Sequence, residues 1–444
     1  MRTITLCIGL LMALASYGQS AVNSVWSTTW GTSPEFTGQN DMPKATLAGK
    51  TIRQIIRPSF GGDTIRMRLS NFHSDEPVEI ESIYVAWSTD TTVRDNKTGD
   101  IISRNGSTPW INSMTAKYLA FNGSRSVTIG ARNNVTSDVL PFEVRPCRNL
   151  AITITYGEKV PEHATSHRGS RTTSYIADGS VGPDDSLIVA ERVDHWYNIL
   201  SLDIKGKTPV VAVLGNSITD GRGTTTNAQN RWTDQMATSL QSFDKEDGAC
   251  KSGCKSGGNK EKACKGGCCH KMESKNGFGV INLGIGGNCV IDGGISQPLL
   301  QRYKDELSFH SGITHLIIYE GTNDIGTSQL AADSLAERLI KAYKEIINYG
   351  HSKGMKVYMA TITPTKGNGW YSTEHDKARQ LVNNWIRQGN GFEGVIDFDE
   401  LVRDPQDEAK LKAEYSEDWL HLNPKGYEVM GKYAAGIINK TTNK

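Results

Sequence analysis

The chain has 444 residues, of which 37% are hydrophobic and 22% charged, with a formal net charge of +1. That length exceeds the usual reach of one hydrophobic core, so two domains are expected. The composition is that of a folded globular chain rather than a disordered or membrane one, and the balanced charge gives no excess of Lys and Arg for a nucleic-acid face, so no nucleic-acid partner is expected.

The N-terminus carries Arg2, an apolar run from Leu6 to Leu14, and then small and polar residues to Ala21. This reads as a secretory signal peptide over residues 1–21, and a secreted or periplasmic protein follows. The run is shorter than the roughly 18 apolar residues a membrane helix needs and no later stretch approaches that length, so no membrane partner is expected. Cys7 lies inside the run, which argues against a lipid anchor. Beyond the leader, Cys147, Cys250, Cys254, Cys264, Cys268, Cys269 and Cys289 are odd in number, which leaves one thiol unpaired or bonded to another chain.

Residues 22–205 read as short strands. Thr64-Ile65-Arg66-Met67-Arg68-Leu69 alternates polar and apolar, and similar runs recur at Val78 to Trp87 and Leu150 to Tyr156. Turn clusters such as Gly61-Gly62-Asp63 and Asn105-Gly106-Ser107 separate them, so an all-β sandwich or jelly-roll domain is expected. From residue 206 the rhythm changes. Pro209 to Leu214 is a continuous apolar run, as expected of a strand covered on both faces, and others follow at Gly279 to Leu283, His315 to Tyr319, Lys356 to Ile362 and Gly394 to Phe398. With helical sequence between them, including Leu335, Leu339, Tyr343 and Ile347 on one stripe, residues 206–444 are expected to form a three-layer α/β domain around a five-stranded parallel sheet. Residues 244–276, rich in Cys, Lys and Gly, interrupt this pattern as a surface insertion.

The chemistry sits where these strands end. Gly215-Asn216-Ser217-Ile218-Thr219-Asp220-Gly221 places a serine at the carboxyl edge of the first run, where open α/β sheets bind ligands. Near the C-terminus, Asp418-Trp419-Leu420-His421 precedes Asn423-Pro424, a helix cap followed by the first helical position. An Asp three residues before a His is placed to fix the imidazole tautomer, leaving the other nitrogen to take a serine proton. Between these ends, Gly284-Ile285-Gly286-Gly287-Asn288 and Glu320-Gly321-Thr322-Asn323-Asp324 follow two more strands and offer amide donors for an oxyanion.

These segments, in this order over about Pro209 to Asn439, resemble the sequence blocks of the SGNH/GDSL hydrolase superfamily. The resemblance implies a flavodoxin-like α/β/α fold, with Ser217 as nucleophile and Asp418 and His421 as its acid-base partners. It also implies an oxyanion hole built from the amides of Ser217 and Gly287 and the side chain of Asn323. The first block departs from Gly-Asp-Ser-Leu at Asn216 and Ile218. Thr29-Trp30-Gly31-Thr32-Ser33-Pro34 and Ile52 to Arg57 resemble secreted two-domain GDSL esterases of the arylesterase and xylan-associated types. The implied activity is hydrolysis of short-chain esters, acetyl above all, on polysaccharides, with no cofactor and no metal. The alternatives are a broad arylesterase or lipase, and an inactive carbohydrate-binding protein.

Other signals read differently. Gly350-His351-Ser352-Lys353-Gly354 fits G-x-S-x-G but follows a helix and precedes a strand, the reverse of a nucleophile elbow. The insertion's cysteines fit disulfides in an exported protein better than zinc ligands. Cys289 stands close enough to Gly287 for a disulfide to tie the oxyanion loop to the insertion. Trp232, Trp370, Tyr371 and Trp419 lie in or near the loops that should rim the site, a placement that fits stacking on sugar rings and equally fits core packing or loop anchoring.

Overall fold

The computed structural model describes residues 25–44, 46–94, 96, 98–241, 277–389 and 391–442. The expected leader (1–21) and insertion (244–276) lie outside the described residues. Near the N-terminus the strands pair antiparallel. One sheet runs Trp26–Gly31, Ile199–Lys205, Gly62–Ser70, Asn134–Thr136, with Leu140–Val144 also on Gly62–Ser70. A second runs Glu191–Val193, Ser174–Asp178, Lys50–Ile56, Leu150–Tyr156, Val78–Trp87, Lys117–Tyr118. The two sheets share one core, in which Ile65, Met67 and Leu69 meet Ile52, Ile83, Val85, Ile152 and Ile154. That is the sandwich the alternating pattern implies, because side chains two apart share a face. Its last strand ends at Lys205 and the next strand begins at Val210.

The second unit is a five-stranded parallel sheet in the order Gly279–Gly284, Val210–Gly215, Ile313–Tyr319, Lys356–Ala360, Gly394–Ile396. Its strands are apolar throughout because both faces are covered. Val210, Ala212 and Leu214 pack on one side with the helices Leu299–Ser308, Ala332–Ser352 and Thr373–Arg387. Val211 and Val213 pack on the other with Trp232–Leu240, Phe398–Val402 and Pro424–Thr442. The expected stripe of Ala332–Ser352 is buried as read, Leu335, Leu339, Tyr343 and Ile347 included. Ser352 is the last residue of that helix, and the turn at Lys353 and Gly354, the latter at φ 74°, leads into the amino end of Lys356–Ala360, so Ser352 does not follow a strand's carboxyl end. Among the described residues no helix is long and apolar enough to cross a membrane.

The two units meet edge to edge. Thr28 donates its amide to Ser311 O at 2.9 Å, and the Val280 amide donates to Ser59 Oγ at 2.9 Å. Gly31 lies so close to His310 that a Cβ there would sit 2.5 Å from the imidazole, which excludes any larger residue. Arg66 and Arg68, the polar half of the alternating strand, point into this junction. Arg66 bonds Asp203 at 2.9 Å and Ser311 at 3.2 Å, and Arg68 donates to Phe309 O.

Candidate active site

Strand order reverses at Val210–Gly215, whose two neighbours are reached by the chain in opposite directions, and this is where open α/β sheets form their crevice. The strand ends into a four-residue helix, Ser217–Asp220. Asn216 caps it, its side-chain oxygen accepting the Ile218 amide at 3.0 Å. Gly221, at φ 103°, then turns the chain, and the amides of Gly221 and Arg222 close onto Ser217 O at 2.9 and 2.8 Å. The local sequence thus puts Ser217 on a turn fixed on both sides.

His421 Nε2 lies 2.9 Å from Ser217 Oγ, and His421 Nδ1 lies 2.7 Å from Asp418 Oδ2. The other carboxylate oxygen accepts the amides of Leu420 and His421 at 3.0 and 2.8 Å. Burial alone would raise the Asp418 pKa, but these bonds from the His421 ring and from the two amides hold it below the usual carboxylate range. Burial is also the largest influence on His421, and it outweighs Asp418, so the imidazole stays neutral to lower pH than a free histidine. Trp419 takes φ 61°, a left-handed conformation in which a bulky residue is strained by about 1 kcal/mol or more. Ser416 Oγ holds that turn, donating to His421 O at 2.7 Å and accepting the Trp419 amide at 2.9 Å. Asn423 caps the following helix as expected, accepting the amides of Lys425 and Gly426 at 3.1 Å each.

The expected oxyanion donors come from two adjacent loops. Gly287 sits at φ 69°, which glycine adopts without penalty, and Ile295 closes over it. Among the described residues, nothing accepts a hydrogen bond from the amides of Ser217 and Gly287. Asn323 Nδ2 donates to Asn288 O at 2.5 Å, which leaves its second hydrogen free.

Several residues that position these loops carry no motif. Arg302, buried on the helix Leu299–Ser308, bonds Asn288 Oδ1 through Nε at 3.0 Å and Nη2 at 2.9 Å. Its Nη1 reaches Leu283 O and, across the domain junction, Ser33 Oγ, both at 3.2 Å, and Glu306 balances its charge. A signal for this pair was present, since Arg302 and Glu306 fall on the same stripe as Leu299, Tyr303 and Leu307, where apolar residues are expected. Asp324 accepts the amides of Val290 and Ile291 at 2.8 and 3.1 Å, and burial pushes its carboxyl up to about 6.

The β domain also reaches the site. Asp220, at the end of the helix Ser217–Asp220, is 2% exposed and bonds His167 Nε2 at 3.0 Å and Arg171 Nη2 at 2.5 Å. His167 Nδ1 faces Ser33 O at 2.9 Å, so both ring nitrogens meet oxygen acceptors, as in an imidazolium. Burial opposes that charge, but Asp220 and then Glu35 raise the His167 pKa above its ordinary value. Arg168, paired with Glu35, donates to Ile295 O at 3.4 Å on the loop covering Gly287.

The structure also places the remaining residues singled out in the sequence. Trp232 does not rim the site; it is fully buried against Tyr319 and Phe398, because the helix it starts packs on the sheet. Cys289 is a buried free thiol, not a tether, and burial with the nearby Asp324 charge pushes it up to about 12, which makes it unreactive. Cys147 is likewise free and buried. Trp370 does border the site loops, packing on Gly326 one turn beyond Asn323, and Lys410 stacks over Trp419 at 4.1 Å. Among the described residues no group of three or more His, Cys, Asp or Glu side chains is placed to hold a metal ion.

A family model for the GDSL-like lipase/acylhydrolase family matches residues 213–429. Similar solved structures include a GDSL-like lipase from Bacteroides thetaiotaomicron, at 17% identity over 54% of this chain and 90% of that one, with a TM-score of 0.33. A carbohydrate acetylesterase from Sinorhizobium meliloti matches at 15% identity over 52% and 99%, with a TM-score of 0.36. An inhibitor-bound aryl esterase of M. smegmatis matches at 14% identity over 52% and 99%, also with a TM-score of 0.36. No curated protein matches the chain.

Proposed function

Because residues 213–429 belong to the GDSL-like lipase/acylhydrolase family, which makes the chain a carboxylic ester hydrolase, we propose that it is an exported serine esterase removing short acyl groups, acetyl above all, from polysaccharides. The observation that carries the mechanism is the chain of hydrogen bonds from Ser217 Oγ through His421 to Asp418, at 2.9 and 2.7 Å. His421, neutral and held in one tautomer by Asp418, takes the Ser217 proton as Oγ attacks the ester carbonyl. The amides of Ser217 and Gly287 and the free hydrogen of Asn323 receive the developing oxyanion. His421 then gives the proton to the departing alcohol, and water, activated by the same imidazole, releases the acid from Ser217. Export rests on the leader, and the polysaccharide on the resemblance of the β domain to secreted two-domain esterases.

The test is acetate release from acetylated polysaccharides, alongside p-nitrophenyl acetate, butyrate and longer esters, with wild type and Ser217→Ala. Release from one glycan, abolished in the variant, is expected. Cleavage of aryl esters alone removes the glycan, and no cleavage at all favours a binding protein.

A further inference from the structure

We propose that Arg222 and Arg171 form a subsite for an anionic group, a carboxylate or sulfate, on the alcohol portion of the ester, so that the substrate is an acidic saccharide. This rests on the esterase reading above. In that chemistry the histidine protonates the leaving oxygen, so the alcohol portion lies on the His421 side of Ser217, away from the oxyanion donors.

Both arginines flank that side. Arg222 follows the nucleophile helix, its amide on Ser217 O at 2.8 Å and its carbonyl accepting the Tyr427 hydroxyl at 2.5 Å. The next residue, Gly223, lies so close to the acid-base turn that a Cβ there would sit 3.6 Å from His421 Cβ. Arg171 comes from the β domain, where its carbonyl accepts the Asn227 amide at 2.9 Å from the loop that Arg222 opens. Both guanidiniums are near enough to His421 to disfavour its protonated form.

Their bonding leaves donors over. Arg66, Arg168, Arg231 and Arg302 at the same junction each face a carboxylate. Arg222 is exposed and takes part in no ion pair among the described residues. Arg171 is paired through Nη2 with Asp220, which it shares with His167, but its side chain stays 25% exposed and its Nη1 makes no hydrogen bond among the described residues. Unspent donors on two cations beside the leaving-group position match an oxyanion, which guanidinium groups bind through paired N–H bonds.

The test compares kcat/KM for para-acetoxybenzoate and para-acetoxybenzenesulfonate with that for neutral para-acetoxybenzamide, in wild type, Arg222→Gln and Arg222→Lys. Wild type is expected to favour the anionic esters, with the preference shrinking in added salt. Arg222→Gln lowers the anionic-to-neutral ratio about tenfold, while Arg222→Lys, which keeps the charge, lowers it less. The better of the two anions identifies the group. A ratio unchanged by both substitutions and by salt overturns the subsite while leaving the esterase intact. Failure of wild type to cleave any of these esters overturns the esterase reading, and the subsite falls with it. Should Arg222→Gln fail to fold, the salt dependence of wild type and the Arg222→Lys ratio still decide.

Discussion

The strands Gly62–Ser70 and Val210–Gly215 both feed the domain junction, but they are written differently. The first buries every second residue from Ile65 to Leu69, and the second buries all six. The difference reflects what covers each face: the core and a polar junction for one, two layers of helices for the other. It also separates two ways of building a site. In the proposed mechanism the α/β domain supplies the reacting groups and the oxyanion donors, on short turns after strands. The β domain supplies groups that hold those turns: His167 and Arg171 on Asp220, Ser33 on Arg302, and Arg168 on Ile295. If that division is right, substitutions in the two sets should fail in different ways.

The largest effect is expected from Ser217→Ala and His421→Ala, which should lower kcat by several orders of magnitude with little change in unfolding temperature. Burst and steady-state kinetics with p-nitrophenyl acetate would measure this, and near-wild-type turnover in either variant would remove the mechanism. Asn323→Ala comes next. It deletes one oxyanion donor and the bond to Asn288 O, and should lower kcat by roughly 10² to 10³ while leaving KM nearly unchanged. A loss confined to KM would mean that Asn323 binds ground-state substrate instead.

On the β-domain side the balance should invert. His167→Gln removes the charge between Asp220 and Ser33 O in a fully buried cluster and strands part of the Asp220 charge, a change that costs about 3 to 5 kcal/mol of stability. The expected readout is an unfolding temperature lower by several degrees, with kcat lowered about tenfold or less. A variant as stable as wild type would break the comparison, because the β domain would then not be holding the nucleophile helix. Since the folded His167 pKa is raised, its contribution is fully present below about pH 6.5 and fades as pH rises through the folded value, so wild type should lose junction stability toward alkaline pH and the variant should not.

How much of this was legible in the sequence follows the same line. The segments around Ser217, Gly287, Asn323 and His421 could be singled out because each packs its residues into a short stretch, three of them directly after an apolar run, and the roles proposed for them come from the resemblance to SGNH/GDSL hydrolases. Such local geometry needs no knowledge of distant contacts. Arg302 could have been suspected from a charge on an apolar helix stripe, but its partners Ser33 and Asn288 could not be named. His167 and Arg171 sit in Thr165–Arg168 and the loop after it, where no spacing marks them. Their roles arise only when the domains meet. Arg66 and Arg68 show the converse limit, since alternation marks a polar face without saying whether water or another domain lies beyond it. The sequence leaves Trp232 between rim and core, because its place after a strand's loop is legible and the inward phase of its helix is not.

The finest comparison lies within the acid-base turn, where both domains act on one proton. His421 is the group that must be neutral for attack, so kcat/KM falls as pH drops through its free-enzyme pKa. Burial holds that pKa below the ordinary histidine value of about 6.5, and Arg222 from the α/β domain and Arg171 from the β domain push the same way, against Asp418. The acid limb of the kcat/KM profile for a neutral ester should therefore lie below about pH 6.5. Replacing Arg222 by Gln removes one cation that disfavours the imidazolium, so the limb should move up, and Arg171→Gln should move it in the same direction from the other domain. A limb that shifts for Arg222 alone would confine control of the base to the α/β domain. A limb that shifts for both would make the β domain part of the electrostatics of the reaction as well as of its scaffold.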